Sequence, residues 1–393
     1  MDKQKIALVA NTSWSIYNFR LGLARTLRDV GYEVIVIAPY DNFSTKLITE
    51  GFSFFNWEIN NYGTNPFVEI KSIIQLYQIY KREQPDFIFH YTIKPNIYGS
   101  IAASICRVPS IAITTGLGHL FSYKSKLTKW FTLWMYRLAS QFSKEVWFLN
   151  KEDLRTFVRK KIVKKEKTFI LPSEGIDTRY FQSKINFQRK ENPHPSFLFA
   201  GRLIADKGVF QFVEAAKRIK NKYPKTIFNL LGFIDPNNPK SVSATQIKNW
   251  QDCGIINYLG ETKDVRPYLE ETDCLVFPSY YGEGISRILM EAASMSTPII
   301  TTNQVGCKDV VEHKYNGFIC KKKNTPDLIH KIEMFLKLSP SEKELMGIRG
   351  RKKVINNFGE DNVITLYLNT LKKYLSTKIL RIEEHFLKHE QFQ

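Results

Sequence analysis

What most constrains the fold of this chain is a rhythm of short, continuous apolar runs separated by helix-length segments. The run at 6–10 is followed by a polar loop, a helical stretch over 19–30, Gly31 and a second run at 34–38, which together make a strand–helix–strand unit. Runs at 87–89, 110–113 and 146–149 continue it, with helices expected at 69–82 and 98–106. Strands this uniformly apolar are covered on both faces, and their alternation with helices means a parallel sheet. The rhythm fails over 184–195, a stretch of Lys, Asn, Gln and Pro, and restarts at 197–200, 227–231, 274–277 and 298–301, with helices expected at 209–223 and 285–294. The expectation is therefore an α/β chain of two domains, 1–183 and 196–375. A linker at 184–195 joins them, the last helix is able to pack back on the first domain, and a polar tail of frayed helix occupies 376–393. A length of 393 residues agrees with two domains. Ligands of such sheets bind beyond the carboxyl ends of the strands, in a cleft.

Composition narrows the partners. With 43% hydrophobic and 13% aromatic residues, disorder is excluded for most of the length. The charge, 57 − 38 = +19, implies an anionic partner: nucleic acid, nucleotide phosphates or an acidic membrane surface. Residues 1–190 hold 28 Lys/Arg against 15 Asp/Glu, and 191–393 hold 29 against 23, so the first half is expected to face the more negative partner. The five cysteines, Cys106, Cys253, Cys274, Cys307 and Cys320, are scattered and form no C-x-x-C pair, which fits a reducing cytoplasm. The run at 6–10 is too short for a signal peptide, and no stretch approaches the roughly 20 apolar residues that span a bilayer. Any membrane association is expected to be peripheral.

The chemistry concentrates in the second half. The strand at 197–200 runs into Gly201-Arg202-Leu203-Ile204-Ala205-Asp206-Lys207-Gly208 and then a helix. Two cations on a strand-to-helix turn can flank a diphosphate, Arg202 by a planar fork and Lys207 as a point charge. Further on, Pro278-Ser-Tyr-Tyr-Gly-Glu283-Gly284-Ile285-Ser286-Arg-Ile-Leu-Met-Glu291 places two glutamates eight residues apart. On a continuous helix that spacing is about 12 Å along the axis with about 80° of rotation, which suits the two hydroxyl-bearing ends of a nucleotide-sugar. The amides of Gly284, Ile285 and Ser286 are candidates to bind phosphate or to donate to the sugar. The plainer alternative has Glu283 complementing a helix start and Glu291 paired with a lysine.

G-R-L-x-x-x-K-G followed by E-G-x-S-R-x-L-x-E-A resembles the C-terminal domain of retaining glycosyltransferases of family 4, and the resemblance extends over nearly the whole chain. It implies the GT-B fold, two Rossmann-like doubly wound domains facing a central cleft. Tyr91-Thr92-Ile93-Lys94-Pro95-Asn96-Ile97-Tyr98-Gly99 and Thr115-Gly116-Leu117-Gly118 resemble the bacterial branch that builds glycans on a polyprenyl diphosphate lipid. The resemblance implies that Arg202 and Lys207 hold the donor diphosphate, that Glu283 touches the transferred sugar and Glu291 the ribose, and that Asp264 lies in the segment contacting the base. The donor implied is a nucleotide-sugar, with a UDP-sugar first among the candidates; no cofactor or metal is implied, in line with the absence of a D-x-D triplet. The first loop, 11–19, lacks the glycine pair that many relatives have, leaving Asn11 and Ser13 to supply hydrogen bonds.

In the first half, His90 ends the strand at 87–89 and is expected either to face the cleft as a catalytic group or to be a capped core histidine. Lys94 is expected to neutralise phosphate, and Gly116, Gly118 and His119 to adjoin the acceptor. Residues 120–167 carry 13 Lys/Arg against 4 Asp/Glu, and within them Leu127, Trp130, Phe131, Trp134 and Leu138 fall at helical spacing. A basic, aromatic helix can lie in an anionic lipid interface; burial against its own domain is the alternative. The combined expectation is an enzyme on the inner face of the cell membrane using a polyprenyl-diphosphate-linked saccharide as acceptor. A nucleotide-sugar epimerase is the alternative the architecture allows. A nucleic-acid-binding protein is the one the charge allows, but it leaves Glu283 and Glu291 unexplained, so nucleic acid is not expected as a partner.

Overall fold

The computed structural model describes residues 3–60, 66–116, 126–183, 193–235, 238–282 and 284–390, with the backbone alone at 66, 126–128 and 376–390. The chain divides into two units, Met1–Gly175 with Glu360–Gln393, and Ile176–Gly359.

The first unit is built on β1 (Lys5–Val9), β2 (Glu33–Ala38), β3 (Ser53–Asn56), β4 (Phe87–Tyr91), β5 (Ser110–Thr114), β6 (Glu145–Phe148) and β7 (Thr168–Ile170). Its helices are α1 (Ser13–Asp29), α2 (Ser44–Thr49), α3 (Pro66–Glu83), α4 (Ser100–Ile105), α5 (Lys126–Phe142) and α6 (Lys151–Arg159), with a π-helical turn at Pro95–Gly99. All strands pair in parallel in the order β3-β2-β1-β4-β5-β6-β7. The second unit holds β8 (Ser196–Ala200), β9 (Ile227–Leu231), β10 (Asn257–Tyr258), β11 (Cys274–Phe277), β12 (Ile299–Thr302) and β13 (Gly317–Cys320). Between and after them run α7 (Val209–Lys222), α8 (Ala244–Asp252), α9 (Arg266–Glu271), α10 (Arg287–Ser294), α11 (Thr325–Leu336) and α12 (Pro340–Phe358). This sheet is parallel as well, in the order β10-β9-β8-β11-β12-β13. Each order reverses once, between β1 and β4 and between β8 and β11, and the carboxyl ends of those strands bound the crevice where doubly wound sheets take ligands.

Strand β4 shows why its apolar run was readable. Every residue of it is buried, as in β5. The last helix, α13 (Glu360–Glu390), covers one face. There the Tyr367 ring lies 4.9 Å from Phe89 and 5.0 Å from Trp147, and Tyr374 lies 5.8 Å from Phe87. Each such burial contributes about 1.5–3 kcal/mol. Residues two apart share a face, so Ile88 and His90 turn the other way, into the core with Tyr80 and Tyr136.

The unit boundaries differ from the linker expected at 184–195. Ile176 donates its N–H to the Phe358 carbonyl (3.1 Å), Ser294 Oγ donates to the Phe181 carbonyl (2.6 Å), and Arg351 donates to the Thr178 carbonyl (3.2 Å). Residues 176–183 therefore belong with the second unit, and the chain leaves that unit at Gly359 rather than 375. The point at which contacts change partner, between Gly175 and Ile176, therefore precedes the stretch where the periodicity is lost. The segment 376–390, expected as a tail, continues α13.

Candidate active site

In the second unit the Gly201–Gly208 turn leaves β8 and the 278–286 segment leaves β11, one on each side of the reversal in strand order. Gly208 is left-handed (φ 84°), and a Cβ there would stand 2.2 Å from the Pro278 carbonyl oxygen, so glycine lets the two backbones touch. The Asp206 carbonyl fastens them together by accepting the Tyr280 N–H (2.9 Å), while the Asp206 carboxylate accepts Lys240 Nζ (2.6 Å). Against this joint the Arg202 guanidinium carbon lies 5.8 Å from the Tyr281 ring centre. Lys207 Nζ lies 5.0 Å from the same ring and 5.4 Å from that of Phe277. The two cations of the turn thus converge on one tyrosine.

Glu291 projects from α10 with its side chain 13% exposed and accepts Arg287 Nε at 2.9 Å. Burial raises its pKa, Arg287 opposes that, and the charge of Asp264 raises it further. Its partner is this arginine one turn back rather than a lysine, a pairing the i, i+4 spacing could have revealed. Both carboxylate oxygens of Asp264 accept from Arg266 (2.8 and 2.7 Å), whose guanidinium lies 3.7 Å over the Tyr180 ring. The expected base contact of Asp264 therefore belongs to a segment whose acid already holds an arginine.

The helix starts at Arg287, not 285, so the continuous-helix geometry assumed for the two glutamates does not apply. Ser286 is buried and its N–H is spent on the Gly306 carbonyl (2.9 Å), which removes it as a phosphate donor. Gly284 is buried, Ile285 packs against the core, and Glu283 lies outside the described residues.

The first unit overturns several expectations. His90 is fully buried, its Nε2 3.0 Å from the Tyr80 hydroxyl and its Nδ1 without a hydrogen-bond partner among the described residues. Burial depresses its pKa to about 3. It is a neutral core histidine and does not serve as a cleft-facing catalytic group, because the pleat turns it inward. Lys94 bonds Glu69 and the Asn60 carbonyl (2.7 Å), so its charge is already matched. Ser13 is buried with its hydroxyl held by the Pro39 carbonyl (2.5 Å) and Ser44 (2.8 Å), leaving Asn11, half-buried at the exit of β1, as the candidate of that loop. Gly116 is half-buried just past β5 with φ 128°; Gly118 and His119 lie outside the described residues.

Sequence reasoning missed Asn96. Its amide clasps both the N–H (3.2 Å) and the carbonyl (3.0 Å) of Ile113 and reaches the Tyr136 hydroxyl (2.5 Å), joining the exits of β4 and β5 to α5. It also missed Thr92, a β-branched residue in the left-handed region (φ 75°). Helix α5 divides its apolar residues. Leu133, Tyr136 and Ala139 join the core, whereas Trp130, Phe131 and Trp134 are 62%, 51% and 48% exposed. Leu138 is half-buried, and the Leu127 side chain lies outside the described residues. On α3, Phe67, Ile70 and Ile74 are exposed too. No helix among the described residues is long and apolar enough to cross a membrane.

Residues 181–353 match the family described as glycosyl transferases group 1, and residues 5–150 match the one described as glycosyl transferase 4-like. The chain belongs to these glycosyltransferases. A Campylobacter jejuni relative, N,N'-diacetylbacillosaminyl-diphospho-undecaprenol alpha-1,3-N-acetylgalactosaminyltransferase, is 29% identical over 84% of this chain and 89% of its own. UDP-Gal:alpha-D-GlcNAc-diphosphoundecaprenol alpha-1,3-galactosyltransferase of Escherichia coli is 27% identical over 77% of this chain and 80% of its own. Among solved structures, a Rickettsia africae glycosyltransferase superposes with a TM-score of 0.79 at 19% identity, covering 95% of this chain and 99% of that one. Anabaena HepE in complex with UDP superposes at 0.78 with 17% identity, covering 94% and 100%. The two Rossmann-like α/β units are those of the GT-B glycosyltransferase fold.

Proposed function

We propose that this glycosyltransferase moves a hexose or N-acetylhexosamine, with retention and without metal, from a nucleotide-sugar to a saccharide carried on polyprenyl diphosphate. UDP-sugars are the first candidates for the donor, and the cytoplasmic, anionic face of the membrane is the site of action. The observation that carries the reading is the convergence of Arg202 and Lys207 at the reversal point of the second sheet. Breaking the anomeric bond expels a nucleoside diphosphate bearing more negative charge than it did in the donor, so cations placed at the leaving group are the largest contribution the protein can make. Glu291, held by Arg287, keeps acceptor capacity for ribose hydroxyls, since one donated bond does not exhaust a carboxylate. Glu283 is assigned to the transferred sugar on its position in the motif. The two diphospho-undecaprenol relatives support the acceptor class, and the UDP complex of HepE supports the donor class.

The test is a panel of UDP-, GDP- and dTDP-sugars, read first as thermal stabilisation. Transfer to a polyprenyl-diphosphate saccharide is then measured for the sugar that binds, together with the anomeric configuration of the product. Glu283→Ala is expected to abolish transfer. Turnover of free nucleotide-sugar without acceptor, or an inverted product, overturns the reading.

A further inference from the structure

We propose that Tyr281 is a positioning residue for the diphosphate, acting through the two cations that share its ring; this deepens the reading above and rests on it. Tyr281 is half-buried in the segment leaving β11, with its N–H directed at Ser279 Oγ (3.3 Å). Its neighbour Tyr280 is anchored to the opposite turn through the Asp206 carbonyl, and the Tyr280 ring takes Lys323 Nζ at 4.7 Å. The backbone that carries the Tyr281 ring is therefore held at the joint of the two loops. Arg202 reaches it from the start of the turn after β8 and Lys207 from its end.

A ring differs from a carboxylate as a support for a cation. Its quadrupole attracts the charge and sets the direction of the side chain, but the formal charge is not cancelled. Long basic side chains lose much rotamer freedom when a ligand immobilises them, so two that already rest on one surface lose less at binding. Bringing two like charges to one ring has an electrostatic cost in the empty site, and a ligand bearing two negative charges turns that cost into attraction. The arrangement selects for a diphosphate rather than for a neutral sugar.

The experiment measures binding of inorganic pyrophosphate and of UDP by calorimetry, with donor kinetics alongside, in wild type, Tyr281→Phe and Tyr281→Leu. The leucine variant is expected to bind both ligands about five- to tenfold more weakly. It should also raise KM for the donor and lower kcat, because the same cations meet the departing diphosphate. The phenylalanine variant, which keeps the ring, is expected to stay within about twofold of wild type. Melting temperatures without ligand should match; if the leucine variant melts lower, Tyr281→Gln replaces it. Failure of phenylalanine to rescue, or full pyrophosphate affinity in the leucine variant, overturns the proposal. Arg202→Ala and Lys207→Ala separate the two levels. If both leave pyrophosphate binding intact, the diphosphate reading falls and this proposal with it. If they weaken binding while Tyr281→Leu does not, only the role of the ring falls.

Discussion

Lys207 tests the site most directly, because its ammonium is one of the two cations that, among the described residues, rest on the Tyr281 ring. Lys207→Ala is expected to weaken UDP binding by about 1.5–3 kcal/mol, the range for a charge-assisted hydrogen bond, as measured by calorimetry. An unchanged affinity removes the diphosphate from this turn. His90 makes the opposite argument, about stability. Its folded pKa of about 3 lies below the ordinary 6.5, so below pH 6.5 the unfolded chain binds a proton that the folded one refuses. The stability His90 contributes is complete above pH 6.5 and falls by about 1.4 kcal/mol per pH unit as the pH drops from there toward 3. His90→Gln should therefore lose less stability than wild type between pH 7 and pH 5 in urea titrations. Equal losses in both proteins would show that this histidine is not held neutral. Spacing alone brought Arg202, Lys207 and Glu291 into view, because a strand exit and a helix start are local signals. The pairing of Lys94 with Glu69 was out of reach, because 25 residues and a helix separate them in the chain.

Helix α5 shows what periodicity can and cannot say. The aromatic residues at helical spacing do form a helix, but spacing does not reveal which side turns outward; the packing of Tyr136 and Ala139 against the core decides that. Trp130, Phe131 and Trp134 are left on the solvent side, with Phe131 and Trp134 stacked at 6.0 Å. Because they are exposed, replacing all three by serine should leave the melting temperature nearly unchanged. Binding to vesicles containing anionic lipid should nevertheless fall by at least tenfold in co-sedimentation, since the apolar anchors are lost and only the basic side chains remain. Equal co-sedimentation of the variant and wild type at low salt would assign these aromatics no lipid role. The strands divide in the same way. The central ones, β4, β5, β8 and β11, are continuous apolar runs and were legible. Edge strands β3, β7 and β10 are short and at least partly exposed, so no buried run announces them.

At the scale of the whole chain, the order of residues misleads about which part stabilises which. Glu360 to the C-terminus follows the second unit in sequence but belongs to the first. Tyr367, Leu371 and Leu375 of α13 are buried, and the rings of Phe87, Phe89 and Trp147 beneath them are fully so. The expectation that the last helix is able to pack back on the first domain agrees with this, but the crossing point, at Glu360 rather than near 375, is not legible in local pattern, because a helix records the face it hides and not the sheet that covers it. The consequence is measurable. Ending the chain after Gly359 uncovers one face of β4 and β6, and with several side chains at about 1.5–3 kcal/mol each the loss is comparable to the whole stability of a domain. Amide exchange should therefore accelerate throughout β1–β7 while β8–β13 keep their protection. Ending it after Leu375 removes only the part of α13 beyond these contacts, and protection of β4 and β6 should persist. If instead the shorter truncation product loosens the second sheet, or both leave the first unaffected, the assignment of α13 to the first unit is wrong.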